Sequence, residues 1–243
     1  AIPSLKEILL TTKINSNKEI YITSMISTFE GCENLESINF QGFSTIKTKS
    51  MHKLFYRSSI KSFTEEMGLK TDNVIDMSYM LAGTGLSSID LSFLDTTNLK
   101  NISHLFSENS LISIDFGLKN SKNLEDMSYL FSNCSSLFTI NIKTIDTSKV
   151  KDMSHMFQGC LSLMEIDLDN FDTSEVIDMS YMFDDCCSLE ELELPKFNTN
   201  KVKNMSHIFQ YMSYLEYIDI SSFNTENVQD MSYMFSNCHS LIE

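Results

Sequence analysis

TSEVIDMSYMFDDC, residues 173–186, carries its apolar side chains at Val176, Met179, Met182, Phe183 and Cys186. Those positions, i, i+3, i+6, i+7 and i+10, form one face of a helix. Asp172, Thr173 and Ser174 stand just ahead and offer N-cap oxygens to the unpaired amides of a first helical turn. Upstream, SLMEIDL (residues 162–168) sets Leu163, Ile166 and Leu168 against polar Asp167. The alternation across Ile166, Asp167 and Leu168 reads as a short strand with one buried face, and Phe171 closes the turn into the helix.

The same unit recurs along the chain. With Met179 as anchor, the equivalent residues are Met25, Met51, Met77, Ile102, Met127, Met153, Met205 and Met231, at steps of 25 or 26 residues. Four residues after each anchor stand Phe29, Phe55, Leu81, Phe106, Phe131, Phe157, Phe183, Phe209 and Phe235. A strand and a short helix per turn predict an α/β repeat solenoid, a leucine-rich-repeat-like coil whose units bury their apolar faces only by stacking. The expected division is residues 1–24 as an N-terminal strand and cap, then residues 25–243 as one solenoid of about nine 25–26-residue repeats. Parallel strands about 4.8 Å apart would make it roughly 40–45 Å long. Two stretches depart from the pattern. YRSSIKSFTEEMGL (residues 56–69) lacks the cysteine and blurs the strand, and strand-like SLKEILL (residues 4–10) is followed by a polar insertion at Thr11–Lys18.

Composition narrows the function classes. With 42% hydrophobic residues and 17 Phe, the chain has the material for a packed core. Seven Gly and two Pro argue against flexible linkers between domains. A net charge of -15 opposes nucleic acid and anionic lipid as partners. No apolar run approaches the roughly 20 residues that span a bilayer, so no membrane insertion is expected within this segment. The sequence does not open on Met and reads as a processed or partial product.

The motif MFxxCxSLxxIDLxxFDTSxVxDMSxMF resembles the 26-residue bacterial surface protein repeat, a relative of the BspA-like leucine-rich repeats. The resemblance is clearest over residues 127–241 and weaker over 25–116. It implies a surface-exposed or secreted protein of bacteria, mollicutes or some protists, engaged in adhesion and partner contact. The periodicity itself implies only stacking.

Several rows of residues are candidates for chemistry. Cys32, Cys134, Cys160, Cys186 and Cys238 each follow their anchor by seven residues and fall on the apolar stripe beside the Phe ladder. One thiol per turn lacks the paired spacing of a zinc site. The row reads either as a buried thiol ladder or as rungs within disulfide range of each other. Cys187 is out of register. Asp76, Asp126, Asp152, Asp178 and Asp230 precede their anchors, with Asn101 and Asn204 completing the row. Asp90, Asp115, Asp167, Glu193 and Asp219 form a second row on the outward strand face. Solvated residues or backbone caps explain both, and calcium between rungs is the alternative that would relieve stacked like charge. No other cofactor is implied, and no row joins an acid, a base and an oxyanion hole, so no enzyme is expected.

Two residues after the anchor the sequence alternates strictly: Tyr79, His104, Tyr129, His155, Tyr181, His207, Tyr233. On a helix this position faces away from the core. Four residues earlier the His units carry Lys100, Lys151 and Lys203, and the Tyr units carry Ile75, Glu125, Ile177 and Gln229. The row reads either as a trace of pairwise duplication or as an outward contact surface, sensitive to acid because His protonates near pH 6.5. Asn101, Asn133 and Asn204 begin N-x-S/T sequons, which glycosylation would use on a eukaryotic-type secretory route.

These observations lead to a non-catalytic surface or secreted interaction and adhesion protein, binding a protein or glycan partner through its sheet or its Tyr/His row. A second expectation uses the ends. CHSLIE stops just past Leu241 inside a strand with no polar cap after it, and AIPSLKEILL starts at the same phase with Leu5. Either further repeats follow, or copies stack head to tail into a filament. A third expectation is an intracellular, cytoplasmic interaction scaffold with reduced thiols and bare sequons.

Overall fold

The computed structural model describes residues 6–9, 20–40, 43–118 and 120–242. The anchor segment shows how each unit is built. In residues 179–186 the N–H of Met182 donates to the Met179 carbonyl (3.3 Å), that of Asp184 to Tyr181 (3.1 Å) and that of Cys186 to Phe183 (3.1 Å). The intervening N–H groups leave the segment altogether. Those of Tyr181, Phe183 and Asp185 donate to the carbonyls of Ser206, Ile208 and Gln210 in the next unit, at 3.0, 2.9 and 2.8 Å. Tyr181 and Asp185 hold left-handed backbone, with φ of 58° and 59°. The segment is therefore a run of overlapping turns whose alternate amides tie one unit to the next.

This overturns the expected α/β repeat solenoid. Among the described residues there is no α-helix; the one helical element is the 3-10 turn Glu65–Met67, closed by left-handed Gly68 whose N–H returns to the Glu65 carbonyl. The fold consists mostly of turns and loops, with few short strands. The apolar spacing was real, since Met179, Met182, Phe183 and Cys186 are all buried. Overlapping three-residue turns place i, i+3, i+4 and i+7 on one side just as a helix does. Residues in the left-handed region every fourth position then break the i to i−4 bonding that a helix needs. Asp172 does not cap a helix either: its Oδ1 accepts the Ser174 N–H at 2.9 Å, a local turn.

Among the described residues, strands are also fewer than one per unit. Glu7–Leu9 (β1) pairs in parallel with Ser37–Asn39 (β2), Ser113–Asp115 (β3) with Thr139–Asn141 (β4), and Glu191–Glu193 (β5) with Tyr217–Asp219 (β6). Each strand has three residues, and the three pairs are separate sheets. SLMEIDL, from which the strand was predicted, forms none. Met164 N–H reaches the Phe138 carbonyl at a long 3.4 Å, and the ladder goes no further. Glu165 and Asp167 there hold the same places in the unit as Glu191 and Glu193 of β5, and like charges directly opposite weaken strand pairing. Of the predicted piece at residues 4–10, residues 6–9 are described and include β1; the insertion Thr11–Lys18 lies outside the described residues.

The most continuous backbone pairing runs inside the stretch expected to be helical. Ser50, Asp76, Asn101, Asp126, Asp152, Asp178, Asn204 and Asp230 are joined at every step by parallel bridges. Inside this ladder lies the core, with Phe29 and Phe55 stacked at 5.7 Å, then Phe106, Phe131, Phe157, Phe183, Phe209 and Phe235 stacked in turn at 5.3–6.0 Å. All but Phe235 are buried.

Candidate functional site

The Tyr/His row becomes a column of parallel rings. Tyr79, His104, Tyr129, His155, Tyr181, His207 and Tyr233 stack with centroids 4.0, 4.2, 4.1, 4.4, 4.2 and 4.8 Å apart. Every one of the seven has a positive φ, between 56° and 60°. That conformation costs a residue with a Cβ about 1–2 kcal/mol, so Gly or Asn would be the local choice. The rings repay the strain across units, since each stacked aromatic pair contributes about 0.5–1.5 kcal/mol beyond its burial.

The column has a start and a second layer that the row alone did not reveal. At its N-terminal end the same position holds Lys53, also left-handed, whose ammonium lies 5.4 Å from the Tyr79 ring centre and 5.2 Å from that of Tyr56. His52 and Tyr56 meet Tyr79 edge-on. Beneath the rings, His155 Nδ1 donates to Gln158 Oε1 (2.7 Å), and Gln158 Nε2 donates to Asp184 Oδ2 (2.8 Å). His207 Nδ1 makes the same bond to Gln210 Oε1. An amide oxygen only accepts, and the Gln158 amide nitrogen is held by Asp184, so the His155 imidazole carries a proton on Nδ1 and turns Nε2 to the ring's far edge. Asp184 Oδ1 is buried with no hydrogen-bond partner, and burial raises its pKa. These glutamines were visible in the sequence three residues after their histidines, but only the turn brings the pair together.

At His104 and His155 the expected sensitivity near pH 6.5 is displaced. Burial between neighbouring rings lowers the pKa of His104 to about 4, and burial also lowers that of His155. Burial raises those of Tyr79 and Tyr129. The lysines four residues upstream act across units: Lys100 and Lys151 grip Glu125 at 2.6 and 3.1 Å, holding its carboxyl at about 2.

The acidic row before the anchors has local work. Oδ1 of Asp76, Asp126, Asp152 and Asp178 accepts both the N–H and the hydroxyl of the Ser two residues on, and Oδ1 of Asn101 and Asn204 does the same. Burial, with Asp126 and Asp178 on either side, raises the pKa of Asp152. Among the described residues, no group of three or more His, Cys, Asp or Glu could hold a metal ion. On the strand-face row, Asp167 pairs with Lys143 at 2.7 Å. Of the sequon residues, Asn101 and Asn204 lie half-buried in the bridge ladder, and Asn204 Nδ2 donates to Asp178 Oδ2. Asn133 is exposed on a left-handed turn, its Nδ2 donating to Ser132 Oγ.

All six cysteines are unpaired. The thiols of Cys134, Cys160 and Cys186 donate to the carbonyls of Phe106, Phe131 and Phe157 in the preceding unit, and burial raises the pKa of each. A threonine clamp was missed. Buried Thr147, Thr173 and Thr199 each donate Oγ1 to a carbonyl of the next unit and accept the N–H of that same residue, Asp172, Asn198 and Asn224. The recurring [FI]-[DN]-T, at residues 145–147, 171–173 and 197–199, was its signal, masked by reading the threonine as a helix cap.

Fold and site together define a repeat protein whose units are made of turns and whose surface carries a built column of rings. Residues 23–139 and 125–243 match the family described as Mycoplasma protein of unknown function, DUF285, and the chain belongs to that family. Among solved structures, a leucine-rich repeat protein from Bacteroides ovatus is similar at 16% identity, over 98% of this chain and 86% of that one, with a TM-score of 0.20, too low to bear on the fold. No curated protein matches the chain. Among the described residues, no helix is long and apolar enough to cross a membrane.

Proposed function

We propose that this protein is a non-catalytic, surface-exposed or secreted interaction protein that contacts a protein partner along the Tyr/His column. The observation that carries the reading is the column itself, seven rings held in strained backbone with their edges outward. A purely local fold would place Gly or Asn at such positions. The surface setting rests on the likeness of the motif to BspA-like repeats. Protein is favoured over glycan by the ring geometry, because sugars stack on open aromatic faces and each internal ring here has both faces covered by its neighbours. The edges offer phenol hydroxyls alternating with imidazole nitrogens, a pattern suited to side-chain and main-chain hydrogen bonds.

Two measurements test this. Protease treatment of intact producing cells is expected to cleave the protein; protection until lysis contradicts the surface setting. Replacing Tyr129, His155 and Tyr181 together with Asn, which tolerates left-handed backbone, is expected to abolish partner adhesion while the protein stays folded by circular dichroism. Unchanged adhesion by a folded triple variant contradicts the role of the column. The six unpaired thiols favour a second reading, an intracellular scaffold, and the protease experiment separates the two.

A further inference from the structure

A different face, the one bearing the short strands, has an uneven outward column. Ile112, Phe138, Met164, Glu190 and Glu216 occupy one position in successive units. Backbone bonds join Ile112 to Phe138 (2.8 Å), Phe138 to Met164 (3.4 Å) and Glu190 to Glu216 (2.8 Å). The first three are apolar yet 61%, 47% and 50% exposed. Beyond Met164 the face turns acidic, with Glu165, Glu190, Glu191, Glu193 and Glu216 all exposed and in no salt bridge among the described residues. The lysines on this face are already paired, Lys143 with Asp167 and Lys196 with Asp169.

The backbone adds relief where the two halves meet. Because residues 165–167 pair with neither β4 nor β5, an open depression lies on each side of them. One, of about 420 Å3, runs between β4 and Glu165–Asp167; the other, of about 360 Å3, is edged by Met164 and four glutamates. The first depression is lined by Glu165 and Asp167 together with Lys143, whereas the lining of the second carries carboxylates and neither Lys nor Arg.

We infer that this face docks an amphipathic, Lys- or Arg-bearing segment of a partner protein. Its apolar residues lie over Ile112, Phe138 and Met164, and its cationic side chains enter the second depression beside Glu165, Glu191 and Glu193. Contiguous exposed apolar side chains mark an interface, and five unpaired glutamates select the sign of the partner's charge. The ammonium or guanidinium supplies donors to these carboxylates. The inference stands on a different face and does not depend on the Tyr/His column.

The test is titration of the protein with a fluorescent peptide of alternating leucine and lysine, read by anisotropy at physiological and at high salt. A net charge of -15 attracts any basic peptide, so the comparison is between variants of equal charge change. Glu191→Lys with Glu193→Lys is expected to weaken binding by about tenfold or more, whereas Glu30→Lys with Glu226→Lys leaves it within about twofold. Phe138→Ser, which alters no charge, is expected to weaken binding as well. Equal losses in the two double variants, no effect of Phe138→Ser, or no binding at all would overturn the inference. So would self-association of the protein through this face, shown by sedimentation and abolished by the same substitutions.

Discussion

The ring of Tyr79 lies parallel to that of His104, its centre 4.0 Å away and its plane turned by only 10°. Backbone in this region of the unit is therefore spaced to suit aromatic contact, and the contact repeats along six successive pairs. Burying imidazoles in such a column has a consequence for acid stability.

His104 has its pKa lowered from 6.5 to about 4, chiefly by burial. As pH falls below 6.5 the unfolded chain takes up the proton first and the folded chain resists it. Stability is thus expected to decline between pH 6.5 and about 4, and His104→Tyr to flatten that decline while keeping the stack. Urea midpoints at stepped pH check this; parallel profiles for the two proteins would contradict it.

Asp152 lies between Asp126 and Asp178 in the bridge ladder, and its raised pKa reports burial together with that crowding. Asn already serves the same position at Asn101 and Asn204, making the same Oδ1 bonds to Ser103 and Ser206. Asp152→Asn is expected to leave stability unchanged or raised at pH 7, measured by thermal unfolding, because the acceptor survives and the repulsion goes. A clear loss would show that the charge itself is required.

Thr173 joins two units through one hydroxyl, donating to the Asn198 carbonyl at 3.0 Å and accepting the Asn198 N–H at 2.7 Å. Thr173→Val preserves the shape but strands both backbone groups. A loss of about 1–3 kcal/mol is expected from denaturant unfolding. Thr173→Ser keeps the hydroxyl and is expected to lose less.

These positions also show what the sequence made legible. The repeat, its phase and its buried set could be read directly, because Met179, Met182, Phe183 and Cys186 recur in register and are buried wherever the chain encloses them. Their secondary structure could not be read from spacing, since turns and a helix share that apolar periodicity. Deciding between them required knowing that the Tyr181 and Phe183 amides leave for the next unit, a long-range fact absent from any local window. The Tyr/His row was visible as an alternation, but stacking follows only from the left-handed backbone at those residues. The strand of residues 162–168 failed for a related reason: its pattern is correct within the unit, while its pairing depends on the charges of neighbouring units.

The account rests on a column of rings built on left-handed turns, and the stability of Tyr181→Gly compared with Tyr181→Ala tests it most directly. Both substitutions delete the same ring from between His155 and His207, so their difference isolates the backbone. With Tyr181 at φ 58°, Gly is expected to be the more stable of the two by about 1 kcal/mol, having no Cβ to strain. If this segment were a helix the order would reverse, with Ala more stable by about 1 kcal/mol, and the column described here could not exist.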